Sequence, residues 1–286
     1  MSESDNKKFV EDQGKIEGTS SLVSKEVDEE SKSSFAEYEF PLGYISPEGN
    51  LYDKVILREM TGEEEDIFAA RKMSITRKIN KVLANCIVEL GSKEIVNVIR
   101  EKPKLEEIVA RLPSIDRMFL LVRIRQQTHG NIFGFDYTCH NLVTDEDGEH
   151  PCELKQYVSV NLSELDVKMP VDKKKRLFEC AVSNGRKVEF RIMDGGDDQF
   201  LNSGDEEKSL SEIMMRRVTK FDGRSVNLDD LKKMSIKDRK IIRREMEKAD
   251  AAGMDSEIEI ECAKCKKTVK ETLRFDSADF FFPEGQ

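Results

Sequence analysis

Two pairs of cysteines, each set against runs of alternating apolar residues, constrain this chain more than any other feature. In the sharper pair, Cys262-Ala-Lys-Cys265, the approach alternates Ile258, Ile260 and Cys262 with Glu257, Glu259 and Glu261. The exit alternates Val269, Leu273 and Phe275 with Lys270, Thr272 and Arg274. A period of two predicts two half-buried strands with the cysteines at their tip. Cys139 and Cys152 close a similar unit. Phe133, Phe135 and Tyr137 lead in, Leu154, Val158 and Val160 lead out, and the polar turn Asp145-Glu-Asp-Gly148 lies between. Two knuckles supplying two thiolates each are a common way to hold tetrahedral Zn²⁺. The expected ligands are therefore Cys139, Cys152, Cys262 and Cys265, around one structural zinc. Redox C-x-x-C motifs sit at helix N-termini, where a thiol pKa is lowered; a position between two strands favours metal. His140 and His150 flank the looser first pair and are possible substitutes for a cysteine. The competing reading is four reduced, idle cysteines, and Cys86 and Cys180 are assigned to core packing.

The six cysteines among 286 residues do not form a secreted disulfide pattern. No apolar stretch is long enough for a membrane span, and no signal-peptide core opens the chain, so a reducing cytoplasm is expected. The net charge is −10, and half of that excess falls in the first 38 residues, with ten acidic and five basic side chains. Residues 1–38 lack the apolar content to offset ordering entropy and are expected to be a disordered acidic tail. An acidic chain lacks the electrostatic footprint of a general nucleic-acid binder. The basic run Lys237 to Arg244 is interspersed with Asp238, Glu245 and Glu247, as on a solvated helix face.

Between the tail and the first knuckle the pattern turns helical, giving a mainly helical region over 39–130 and an α+β region with the cysteine hairpins over 131–286; 39–286 can form one domain. After a hairpin-like entry from Phe40 to Leu57, Thr61-Gly-Glu-Glu64 reads as a capping box. Ile75, Ile79, Val82, Leu83, Cys86 and Leu90 recur as one buried helix face up to Gly91. A short stripe from Leu105 to Leu112 ends at Pro113. Ser114 is placed to cap a helix whose Ile115, Met118, Phe119, Leu120, Leu121, Val122 and Ile124 cover most of its circumference, which puts it at the centre of a domain. Its Asp116, Arg117, Arg123 and Arg125 need partners if buried, and an Asp–Arg network is expected. A strand follows at Val188–Ile192, a helix at Leu210–Val218, and a second capping box, Ser235-Ile-Lys-Asp238, opens a helix running to Gly253. Phosphate-loop, dinucleotide, zincin and hydrolase-elbow motifs are all absent, the histidines (His129, His140, His150) have no motif-grade nucleophile beside them, and a four-thiolate zinc is a closed site, so no enzyme is expected.

Taken in order, Thr61–Ile67, Leu112–Arg125 with Asp116-Arg117, the first knuckle, the Val188 strand, the Cys262-x-x-Cys265 knuckle and the ending Phe280-Phe-Phe-Pro283 resemble the baseplate hub and hub-assembly proteins of T-even-type contractile-tailed bacteriophages, over residues 40–283. The resemblance implies a non-enzymatic role in the host bacterial cytoplasm, binding other tail and baseplate hub proteins, with the product staying in the virion or leaving it. It departs at the first knuckle, where the family tends to a tight C-P-x-C-like pair and twelve residues stand here between Cys139 and Cys152. The fold expected is α+β: a helical body carrying short antiparallel hairpins whose cysteine tips meet in a zinc-ribbon-like site. The alternative function is a zinc-ribbon regulatory protein contacting nucleic acid or the transcription machinery. Phe280, Phe281, Phe282 and Pro283 are the candidate partner contacts; three consecutive phenylalanines cannot all face one way along a strand. Packing into the chain's own core is the competing reading.

Overall fold

The computed structural model describes residues 35–282 apart from 93–97, 146–147, 184, 204–206, 274 and 276–277, and these residues fall in one compact unit. The expected acidic tail lies outside them up to residue 34. Residues 35–38, expected to belong to that tail, are instead the start of a strand. The architecture mixes helices with antiparallel sheets, an α+β fold. No helix among the described residues is long and apolar enough to cross a membrane.

Strands β1 (Phe35–Ile45) and β2 (Leu51–Arg58) form a hairpin, and β3 (Ile87–Gly91) extends it. The β1–β2 register jumps between Glu39 and Tyr44, so the intervening backbone leaves the ladder. Its amides do not go unpaired: Leu42 N and Gly43 N donate to the Asp116 carboxylate at 2.9 and 2.7 Å. Gly43 has φ +82°, and a Cβ there would lie 2.5 Å from Tyr52 O, so the bulge requires glycine.

Helix α1 (Gly62–Ala69) starts at the predicted capping box, with the Thr61 and Glu64 side chains each closing on the other's backbone. The stripe expected as one helix up to Gly91 is split. Helix α2 (Ile75–Cys86) ends early, and Leu90 lies in β3, paired with Val55. The cause is non-local: Lys102 Nζ reaches back to the carbonyls of Asn85 and Ile87 at 2.8 and 2.7 Å, and β2 offers a free edge. Helix α3 (Lys102–Val109) and the central α4 (Ser114–His129) follow. Residues 39–130 thus carry a three-stranded sheet beside their four helices.

Helix α4 is buried on nearly every side, as its composition requires. Its charges do not form one network. Asp116 holds the β1 bulge, whereas Arg117 Nε donates to Asp198 at 3.1 Å and its Nη1 to Val109 O at 2.7 Å. Ser114 does not cap the helix: Pro113 occupies that position, and the Ser114 hydroxyl turns to Asp198. Arg125 lies over the rings of Phe133 and Phe280.

Beyond α4, β4 (Ile132–Thr138) pairs with β7 (Lys155–Asn161), and a smaller hairpin, β5 (Leu142–Asp145) with β6 (Gly148–Pro151), projects between them. After β8 (Val167–Lys168), strands β9 (Leu177–Ala181), β10 (Lys187–Arg191), β11 (Val218–Phe221) and β12 (Arg224–Ser225) make a four-stranded sheet in the order β12-β11-β10-β9. Helices α5 (Gly195–Leu201), α6 (Leu210–Arg217), α7 (Leu228–Lys232) and α8 (Ile236–Ala249) accompany it. Ser235 caps α8 through Asp238 N, but the reciprocal half of the expected box is missing, because the Asp238 carboxylate accepts from Ser183 N. The helix stops at Ala249, short of Gly253, which instead belongs to β13 (Gly253–Met254), paired with β8. The chain closes with the β14 (Glu257–Glu261) and β15 (Thr268–Thr272) hairpin and the single turn α9 (Ala278–Phe281).

The largest core joins the β1–β3 sheet, α1–α4 and the chain's C-terminal turn. Phe280 and Phe281 have no exposed surface. Phe280 meets Phe133 and Phe275 with ring centroids 5.0 Å away, and Phe281 lies 5.2 Å from Phe68. Both rings thus lie in the chain's own core, the reading set beside the partner contact expected at these positions. Phe282 is half-buried against Phe68, while Pro283 lies outside the described residues.

Candidate metal centre

The two hairpins bring all four predicted cysteines together. The Sγ atoms of Cys139, Cys152, Cys262 and Cys265 lie within 4.8 Å of one another. Cys139 and Cys265 are 3.8 Å apart, and Cys152 and Cys262 are 3.7 Å apart. Four thiolates bonded at about 2.3 Å to one tetrahedral ion hold neighbouring sulfurs at about 3.8 Å. A disulfide needs about 2.0 Å, and all six cysteines are free thiols. The sulfurs thus fit the corners of a thiolate metal cage, each close pair taking one cysteine from each knuckle.

The local backbone explains how each knuckle turns. Lys266 N donates to Cys262 O at 2.9 Å, and Glu153 N donates to Cys139 O at 2.9 Å. The residue after the second cysteine of each pair is left-handed, Lys266 at φ 58° and Glu153 at φ 53°. The two turns are equivalent although one encloses two residues and the other a whole hairpin. The first pair is accordingly not at a tip: Cys139 and Cys152 mark the joint where β4–β7 gives way to β5–β6, and the smaller hairpin runs on to the Asp145–Gly148 pair.

Three of the cysteines are buried among Tyr137 and Ile260, with Cys265 at the margin. Burial pushes the Cys139 thiol up to about 11. Backbone amides of Cys265 and Lys264 act on the Cys262 sulfur against its burial and bring it down to about 6. A cation at the centre would favour ionisation of the thiols. Cys86, whose thiol burial pushes up to about 12, and Cys180, raised by the same cause, stand apart from the cluster.

Neither histidine joins the group. His150 is committed to the Asp145 carboxylate at 2.6 Å and to Pro151 O at 3.0 Å, while His140 faces solvent. Several supporting residues have no signature in the sequence. Gln156 on β7 accepts from Ala263 N at 2.9 Å and donates to Glu261 O at 3.0 Å, pinning the second knuckle to the first hairpin. Asn141 Nδ2 lies 3.7 Å from the Cys265 sulfur. The left-handed positions after each second cysteine would have been legible had they been glycines.

An ion held by all four sulfurs would have no open position for water or substrate. A family model described as T4 bacteriophage base plate protein matches residues 44–282, a span that includes both knuckles and the C-terminal turn. No curated protein and no solved structure matches the chain. The chain belongs to the T4 bacteriophage base plate protein family.

Proposed function

We propose that this chain is a subunit of the central baseplate hub, or a factor that assembles the hub, acting by protein–protein contact without catalysis. Its partners are other tail and hub proteins, met in the host bacterial cytoplasm. The observation that carries the reading is the four-cysteine cluster joining two hairpins of a base plate family protein. A closed cage stiffens a binding scaffold and offers no position for substrate. We assign it one structural Zn²⁺, since thiolate-rich tetrahedral sites select zinc over hard cations. Of the C-terminal phenylalanines only Phe282, with Pro283 beyond it, remains a candidate contact.

The test is to purify the protein from infected cells and identify what co-sediments, comparing full-length chain with a truncation after Phe281 that keeps both core rings. Hub proteins are expected with the full-length chain. Recovery of no tail protein would overturn the hub reading, and undiminished recovery with the truncation would overturn the role of Phe282 and Pro283. A salt-sensitive, sequence-selective nucleic-acid complex would favour a regulatory zinc-ribbon function instead.

A further inference from the structure

A cleft of about 340 Å³ lies where the β1–β2 turn meets the end of α3, the start of α4 and strand β10. Its walls are Tyr44, Ile45, Pro113 and Ile192, and two guanidinium groups, Arg111 and Arg176, face it. Arg191 also lines it but is spent, bonded to Asp194 at 2.9 Å and to both oxygens of Asp197 at 2.8 Å. Arg176 is held in place by carbonyls alone: Nη2 donates to Gly43 O at 2.7 Å and Nη1 to Lys173 O. Arg111 is exposed and makes no side-chain bond among the described residues. Neither Arg111 nor Arg176 has a carboxylate within ion-pair distance among these residues, and the nearby Glu48 is turned onto Ser46.

Arg176 feels the Asp116 and Asp172 carboxylates without bonding either, so Arg111 supplies the exposed positive charge of this cleft in a chain of net charge −10. Guanidinium forks match a carboxylate bidentately and are weakly hydrated, so they suit a half-enclosed site. The apolar walls add room for a neighbouring aliphatic side chain. We propose that this cleft is a docking site for an acidic residue flanked by apolar side chains, carried on a segment of a protein partner. This deepens the proposed hub function, on which the identity of the partner rests.

The experiment uses the purified full-length chain and follows arginine Nε–Hε signals by NMR while a capped Glu-Leu dipeptide is titrated to millimolar concentration, with inorganic phosphate as the comparator. The dipeptide is expected to shift the Arg111 and Arg176 signals. Arg111→Glu, at an exposed position that leaves thermal stability unchanged, is expected to weaken the dipeptide about tenfold or more, and Arg111→Lys less. The proposal is overturned if the dipeptide moves neither signal, if only phosphate moves them, or if Arg111→Glu binds as the wild type does. Dipeptide binding without recovery of tail proteins from infected cells would keep the cleft and remove the hub reading.

Discussion

The largest core and the cysteine core solve the same problem with different means. The first draws on a three-stranded sheet, four helices and the C-terminal turn, and it is sealed by rings: Phe133, Phe275 and Phe281 meet Phe280 edge to face, and Phe68 lies tilted against Phe281. Apolar burial and dispersion are enough there. The second core has Tyr137 and Ile260 as its buried non-cysteine members, and its strands come as two-stranded ribbons, β4–β7 and β14–β15, that share no ladder. A two-stranded hairpin is marginal alone. Sulfur atoms stand where a larger domain would place leucines. A chain can thus extend a stable body with a thin arm if an ion ties the arm's end.

The largest expected effect breaks this comparison at the arm. Cys262→Ser with Cys265→Ser should remove about one zinc per chain and loosen the cysteine ends of both ribbons, since metal binding by such sites contributes about 10–16 kcal/mol in isolated zinc-finger peptides. Elemental analysis and hydrogen exchange check it: protection should fall most at the cysteine ends of β4, β7, β14 and β15, while β1–β3, α4 and the Phe133 end of β4 keep theirs. Metal-free protein with intact ribbons would show that the four thiols are idle. Next in size, Phe280→Ala should cost about 3–5 kcal/mol by opening a cavity among packed rings. Here the zinc content should be unchanged and the thermal midpoint should fall. If stability holds, the rings do not seal the core.

Acid separates the two regions less sharply. Burial would raise the Glu64 carboxyl, but Arg58 clasps both its oxygens at 2.9 and 3.0 Å, and Thr61 N and Asn85 add donors, which together hold it down to about 2. Its folded pKa is below the unfolded value, so its stabilisation is present above about pH 4.5 and is lost as pH falls toward 2. Glu64→Gln should cost about 2 kcal/mol at neutral pH and flatten the acid limb of a stability curve. An acid limb identical to wild type would remove Glu64 from that role.

What could be read from the sequence was what repeats locally. The period-two runs around Cys262 and Tyr137 gave strands, the all-round apolar stretch from Ile115 to Ile124 gave a central helix, and the cysteine pairs pointed to the four thiols that cluster. What could not be read depends on distant partners. Helix α2 ends where Lys102 binds its carbonyls, and Asp116 finds amides 73 and 74 residues away rather than its neighbour Arg117. The triple phenylalanine was puzzling as a strand; one turn of helix turns Phe280 and Phe281 inward together.

The smallest effect tests whether the two knuckles are equivalent. Lys266 and Glu153 each hold φ near +55°, a region that costs an L-residue about 1–2 kcal/mol and glycine nothing, against about 0.5–1 kcal/mol of extra chain entropy for glycine in the unfolded state. Lys266→Gly and Glu153→Gly should therefore each stabilise the arm by a few tenths to about 1 kcal/mol. Because the turns share one hydrogen-bond pattern, from the residue after the second cysteine back to the first cysteine's carbonyl, the two gains should be similar and additive. Hydrogen exchange of β4, β7, β14 and β15 at fixed zinc measures them. A gain at Lys266 with a loss at Glu153 would mean that the β5–β6 hairpin, which interrupts only the first knuckle, sets that turn independently, and the equivalence of the two halves would fail.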